Sequence, residues 1–139
     1  MITARDIMHN GADCVGEDMS MLDAAQMMRD LGIGSLPICG KDDRLHGILT
    51  DRDIVVHCVA AGRDPATMTA GECAQGTLWH VEASADVDEV LKMMAGHQVR
   101  RVPVIEHHQL VGMISEADLA RALDEHRLAT FVEQVYAGR

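Results

Sequence analysis

The feature that most constrains this chain is a duplication. The stretch Gly47-Ile48-Leu49-Thr50-Asp51-Arg52-Asp53-Ile54 returns as Gly112-Met113-Ile114-Ser115-Glu116-Ala117-Asp118-Leu119. Each copy opens on a glycine and a short apolar run, followed by a hydroxyl residue, an aspartate three positions on, and an apolar residue that resumes a helix. Each is a strand-to-helix corner. Around the corners, Met27-Met28 recurs as Met93-Met94, Pro37 as Pro103, Val15 as Val81 and Thr3-Ala4 as Thr69-Ala70, all offset by 66, whereas the corners are offset by 65. One residue has been lost in a loop, between Cys39 and Leu45 in the first copy and between Ile105 and Leu110 in the second. Loops tolerate such losses. The chain is therefore a tandem repeat of a unit of roughly 60 residues.

A chain of 139 residues suffices for one ordinary domain and is short for two independent ones, so the repeats are expected to share a core. With 12 Lys+Arg against 22 Asp+Glu the formal charge is -10, which repels nucleic acid and anionic membranes. Three aromatics, Trp79, Phe131 and Tyr136, are too few for a base-stacking platform. Nucleic acid is excluded as the expected partner. No apolar run reaches the ~18 to 20 residues that span a bilayer, and the N-terminus lacks a signal-peptide core. The expectation is a soluble, cytoplasmic protein, with export without a signal peptide left open.

The spacing predicts a short leading helix over Thr3 to Met8 and a very short strand at Cys14-Val15 within Gly11 to Gly16. From Ser20 it predicts a helix with Met21, Ala24, Ala25 and Met28 on one face. Ser20 with Asp23 forms a capping box and Gly32 a stop. In the copy, Asp86 with Glu89 caps a stripe of Val87, Val90, Leu91 and Met94. Strands follow at Ser35 to Cys39, Leu45 to Leu49, Arg101 to Ile105 and Leu110 to Ile114. Pro37 and Pro103 suggest edge or first positions in their strands. Closing helices are expected over Asp51 to Ala61 and Glu116 to Glu125. Repeat 1 thus spans 1–62, a linker 63–68, repeat 2 69–125, and a helical tail 126–139. The tail's stripe, Leu128, Phe131, Val132 and Val135, must bury itself on the body or on a partner.

A tandem β-α-β-β-α unit with a glycine-led, hydroxyl-x-x-aspartate corner and a proline in the middle strand closely resembles the CBS-domain pair, or Bateman module, over residues 1 to about 125. The resemblance implies an α/β fold of two repeats packed sheet to sheet about a pseudo-twofold axis. It also implies frequent homodimerisation, adenosine-nucleotide binding in the cleft between repeats, and regulation through a protein partner rather than catalysis. Thr50 and Ser115 match the family's phosphate-contacting hydroxyl, and Asp53 and Asp118 its ribose-binding carboxylate. The same residues are also capping boxes, sufficient without a ligand. Arg100 and Arg101 supply basic residues before the second proline where the first repeat has Gly34-Ser35, and the acidic Asp51 and Glu116 disfavour a polyphosphate. If a nucleotide binds, AMP at the cleft nearest Arg100 and Arg101 is expected rather than ATP.

Four cysteines show no C-x-x-C pair, and buried thiols are the default inside a cell. In the CBS fold the first short strand lies beside the middle strand, which would bring Cys14 near Cys39. A bridge there would stabilise by about 3 kcal/mol on the loop-entropy model. Two packed thiols are the alternative, and Cys58 with Cys73 the competing bridge. Zinc donors are sought among His57, Cys58, His97, His107 and His108. Neighbouring helical residues do not share a face, so a site would be assembled across repeats or subunits. No nucleophile elbow, P-loop or dinucleotide fingerprint occurs. Two readings stand: a non-enzymatic regulatory module sensing an AMP-like nucleotide, in what the resemblance implies is a stress or hypoxia response; or an interaction protein without nucleotide, reinforced by a Cys14–Cys39 disulfide, zinc, or both.

Overall fold

The computed structural model describes residues 1–10, 14–73 and 78–137. The first part of the predicted Gly11 to Gly16 stretch and the last two residues of the tail lie outside them. In chain order the elements are α1 (Ala4–Ile7), β1 (His9–Asn10), β2 (Val15–Gly16), α2 (Met21–Leu31), β3 (Ser35–Cys39), β4 (Leu45–Thr50) and α3 (Asp51–Asp53). A π-helical stretch, Ile54–Val59, and a 3-10 turn, Ala70–Cys73, come next. Then follow β5 (Val81–Glu82), α4 (Val87–His97), β6 (Arg101–Glu106), β7 (Gln109–Ser115), α5 (Glu116–Ala122) and α6 (Glu125–Val135). The α/β class and the order of elements within each repeat are as the duplication implied.

Two compact units result, one built from Met1–Gly11 with Trp79–Arg139 and the other from Ala12–Leu78. The repeats trade their leading segments. Thr3 bridges Asp86, and Thr69, its counterpart 66 residues on, bridges Ser20. Backbone bonds fix both exchanges: Ala4 N–H to Ala85 O at 2.8 Å and Arg5 N–H to Ala83 O at 3.0 Å, against Ala70 N–H to Met19 O at 2.8 Å and Gly71 N–H to Glu17 O at 2.9 Å. A periodicity reading assigns each leading segment to the repeat that follows it in sequence. Hydrogen bonding assigns it to the other.

Each unit buries its own apolar cluster, where a shared core was expected. One contains Val15, Met21, Ala24, Met28, Leu36, Ile38, Leu49, Cys58 and Met68. The other contains Ala4, Val81, Val87, Val90, Met94, Val102, Val104, Ile114, Leu119, Phe131 and Val135. The exchanged segments and α6 add apolar surface beyond that of a repeat alone, which lets small units close a core.

The sheets run β2-β3-β4 and β1-β7-β6-β5. Pro37 and Pro103 are third residues of interior strands, contrary to the edge expectation. The physical reason is local: β2 pairs only with Ile38 and Cys39, and β5 only with Val104 and Ile105. Each proline therefore sits just beyond its short neighbour, where no ladder bond is lost. The missing residue lies where the offsets placed it. Cys39 pairs with Leu45, whereas Ile105 pairs with Leu110 and Glu106 with Gln109. The tighter turn consists of His107 and His108, with φ of 53° and 65°, the left-handed pair of a two-residue hairpin.

Helix ends follow the caps with three departures. Ser20 Oγ accepts from Asp23 N–H at 3.0 Å, one half of the expected capping box, and Gly32 ends α2 at φ 68°, as predicted. Asp86 accepts from Asp88 N–H at 3.0 Å, not through Glu89. The helix expected over Asp51 to Ala61 widens to a π-helix after Asp53. The β-branched run Ile54-Val55-Val56 disfavours tight α turns. The helix expected to reach Glu125 stops at Ala122, because Leu123 is extended and Asp124 caps a new helix by accepting from Arg127 N–H at 2.8 Å. The tail buries Phe131 and Val135 within the cluster containing α4 and leaves Val132 outside. Among the described residues no helix is long and apolar enough to cross a membrane.

Candidate functional site

The two corners fold alike and differ in what surrounds them. At the first, Thr50 caps α3: its hydroxyl accepts from Asp53 N–H at 3.1 Å, and its own N–H donates to Asp53 Oδ2 at 2.9 Å. Among the described residues the other oxygen, Asp53 Oδ1, has only His57 Nε2 at 3.9 Å, and the side chain keeps 28% of its surface exposed. A carboxylate has room for about four acceptor contacts. Asp53 thus retains capacity toward solvent.

At the second corner, Ser115 N–H and hydroxyl donate to Asp118 Oδ2 at 2.8 and 3.0 Å. His9 Nδ1 approaches the same oxygen at 2.7 Å, and Arg121 pairs with Oδ1. Asp118 is 4% exposed. Burial pushes its carboxyl up, but the hydrogen bonds from His9 and Ser115 outweigh burial and hold it below the ordinary 3.8. The exchanged N-terminal segment explains His9. Strand β1 runs antiparallel to β7, with His9 opposite Met113 and Asn10 opposite Gly112. The corner glycine is needed for this approach, since a Cβ at Gly112 would lie 2.7 Å from His9 O and 2.6 Å from Met8 Sδ.

A group whose folded-state pKa is depressed contributes stability above its unfolded pKa and loses it as pH falls through the folded value. Asp118→Asn should therefore cost about 2 kcal/mol at pH 7, the worth of hydrogen bonds to a buried charge. The gap from the unaltered protein should narrow below about pH 3.8, where the carboxylate protonates. Urea midpoints at pH 7 and pH 3 measure this. An equal gap at both would assign the loss to packing rather than charge.

Arg101, the first residue of β6, pairs with Ser115, and Arg100 and Glu116 are their neighbours in sequence. Arg100 Nη1 donates to the Tyr136 hydroxyl at 3.2 Å, with its guanidinium 5.6 Å from the ring centroid. The Tyr136 hydroxyl in turn donates to Glu116 Oε2 at 3.4 Å. Neither His9 nor Tyr136 was singled out from the sequence. His9 carries no motif signal, whereas Tyr136 falls one position past the tail's apolar stripe.

Cys14 and Cys39 have their sulfurs at disulfide distance, with Cα atoms 5.6 Å apart, because β2 lies parallel to β3. Cys58 and Cys73 are free thiols. Cys58 donates to Arg63 O at 3.6 Å, and burial, then the nearby Asp53 and Cys58, push the Cys73 thiol up. The histidine candidates are scattered. His57 is exposed on the π-helix, His107 and His108 form the hairpin turn, and His97 stacks on Trp79 with ring centroids 3.5 Å apart. Among the described residues no group of three or more His, Cys, Asp or Glu side chains is arranged to hold a metal ion.

The CBS domain family matches residues 4–59 and 76–125. Hypoxic response protein 1 of Mycobacterium tuberculosis is 57% identical over 135 residues, 97% of this chain and 94% of that protein. The crystal structure of Hypoxic Response Protein I with two coordinated zinc ions superposes with a TM-score of 0.81 at 59% identity, covering 88% of this chain and all of that one. The CBS domain pair of protein MJ0100, solved with 5′-methylthioadenosine and S-adenosyl-L-methionine, shares the fold at a TM-score of 0.78 and 24% identity, over 87% of this chain and 94% of that one. Two matched segments, two like corners and a full-length relative make this chain a member of the CBS-domain family, in the form of a tandem pair.

Proposed function

We propose that the chain is a non-enzymatic regulatory module that takes an AMP-like adenosine nucleotide at its strand-to-helix corners and acts in a hypoxia or stress response through a protein partner. One observation carries the reading: Asp53 spends Oδ2 on its cap with Thr50, while Oδ1 is approached by His57 at 3.9 Å and the side chain keeps 28% of its surface exposed. A vicinal diol needs such an acceptor, and a phosphate suits the hydroxyl. The adenosine compounds bound by the MJ0100 pair support the ligand class, and the hypoxic response relative supports the process. The exposed Val55, Val56 and Val59 on one π-helical stretch support a homodimer.

Calorimetric titration with AMP and ATP tests the ligand. AMP should bind more tightly than ATP, given the net charge of -10. Asp53→Ala should weaken AMP at least about tenfold while costing only about 1 kcal/mol as a lost cap. Unchanged AMP affinity in that variant would sink the nucleotide reading.

The zinc in the hypoxic response structure favours a second reading, a metal-reinforced interaction protein. The described donors of one chain do not fit a zinc ion. Exposed histidines such as His57, His107 and His108 would then be joined by donors outside the described residues or by those of another copy. Native mass spectrometry without chelator separates the readings: a dimer with stoichiometric zinc and no affinity for AMP would favour the second.

A further inference from the structure

The two corners carry the same motif, yet the chain's own tail lies against one of them. Helix α6 is anchored by Phe131 and Val135, which are 2% and 1% exposed, and by the Arg127–Asp88 ion pair. That anchoring delivers Tyr136, just past the helix end, between Arg100 and Glu116. The phenol accepts from Arg100 Nη1 at 3.2 Å and donates to Glu116 Oε2 at 3.4 Å, while the ring lies 5.6 Å from the guanidinium. The Arg101–Ser115 pairing puts both of these residues next to the Ser115–Asp118 cap. Glu116 Oε1 is buried without a hydrogen-bond partner among the described residues, an acceptor that opposes a phosphate and tolerates a phenol.

We infer that Tyr136 is an access-determining residue: the C-terminal helix holds Arg100 away from incoming anions, so the second corner is covered and the first corner is the one open to a phosphorylated ligand. Resting on the nucleotide reading above, this reverses the order expected from basic residues alone, which favoured the corner nearest Arg100. Asp118 agrees with it. Its two oxygens are already engaged by His9, Ser115 and Arg121, whereas among the described residues Asp53 Oδ1 has only the 3.9 Å approach of His57.

Two measurements on the full chain test the inference. Phenylglyoxal labelling, with peptide mass mapping, reads how available Arg100 is without any nucleotide. Tyr136→Ala should speed labelling of Arg100 about tenfold, as expected for loss of a contact to a charged group, with Tyr136→Phe between it and the unaltered protein. Equal Arg100 labelling rates would overturn the inference whether or not a nucleotide binds. The second measurement is AMP titration in an Asp53→Ala background, which leaves only the second corner. Adding Tyr136→Ala should raise AMP affinity about tenfold, and adding Arg100→Ala should remove the gain. Faster labelling with no gain in affinity would also overturn the claim that the tail controls access. If no variant binds AMP, the nucleotide reading fails by itself, and the labelling rates still decide whether Tyr136 shields Arg100.

Discussion

Phe131→Ala should lower the free energy of unfolding by about 3 to 5 kcal/mol, the usual cost of removing a fully buried aromatic ring. Phe131 is 2% exposed and belongs to the cluster formed by Val87, Val90, Met94, Val102 and Ile114. Against a typical stability of about 5 to 15 kcal/mol, such a loss is a large fraction of the total. Val132, one position on, is 40% exposed; Val132→Ala should change stability by less than about 0.5 kcal/mol. Urea denaturation of the two variants is a sharp comparison because the residues are adjacent. Similar midpoints would mean that α6 is not docked through Phe131. A docked α6 is also what delivers Tyr136 to Arg100, so Phe131→Ala should release Arg100 to labelling.

Breaking the Cys14–Cys39 link should cost about 3 kcal/mol, since the bridge closes a separation of 25 residues and restricts the unfolded chain. The expected results are a mass about 2 Da below the fully reduced value, two titratable thiols under denaturing conditions, and a lower denaturation midpoint in Cys39→Ser or after reduction. Cys58→Ser supplies the control, because Cys58 is a free thiol and its change should leave the response to reductant intact. A protein whose midpoint ignores reductant would restore the alternative of two packed thiols. Cys39 lies at the end of β3, and the bridge ties that strand to β2, whose two-residue pairing is otherwise short. A reducing environment would therefore loosen the edge of the first repeat's sheet more than the corner at Thr50.

Much of the architecture was present in the sequence. The offset of 66 fixed the repeats, the change to 65 located the lost residue, and the apolar spacing placed α2 and α4. These are local properties: a cap, a turn or a buried stripe is specified by residues a few positions apart, so periodicity reports it directly. The corner motifs were legible for the same reason, since Thr50 with Asp53 and Ser115 with Asp118 satisfy backbone groups within one turn. Even the start of α6 had its signal in Asp124, a cap that the helix expected to reach Glu125 obscured.

What only the tertiary structure decided is how the equivalent positions became different. Two corners with one motif read alike in sequence. One of them meets His9, brought by a leading segment hydrogen-bonded to the later repeat, and has Tyr136 brought beside it by a tail helix with no counterpart in the first repeat. Pro37 and Pro103 likewise sit in interior strands only because β2 and β5 stop short of them. In each case the deciding partner lies many residues away, and its approach is set by which buried surfaces close a core. Local spacing specifies a residue's own turn. The charge and access of a carboxylate depend on which distant side chains packing places against it.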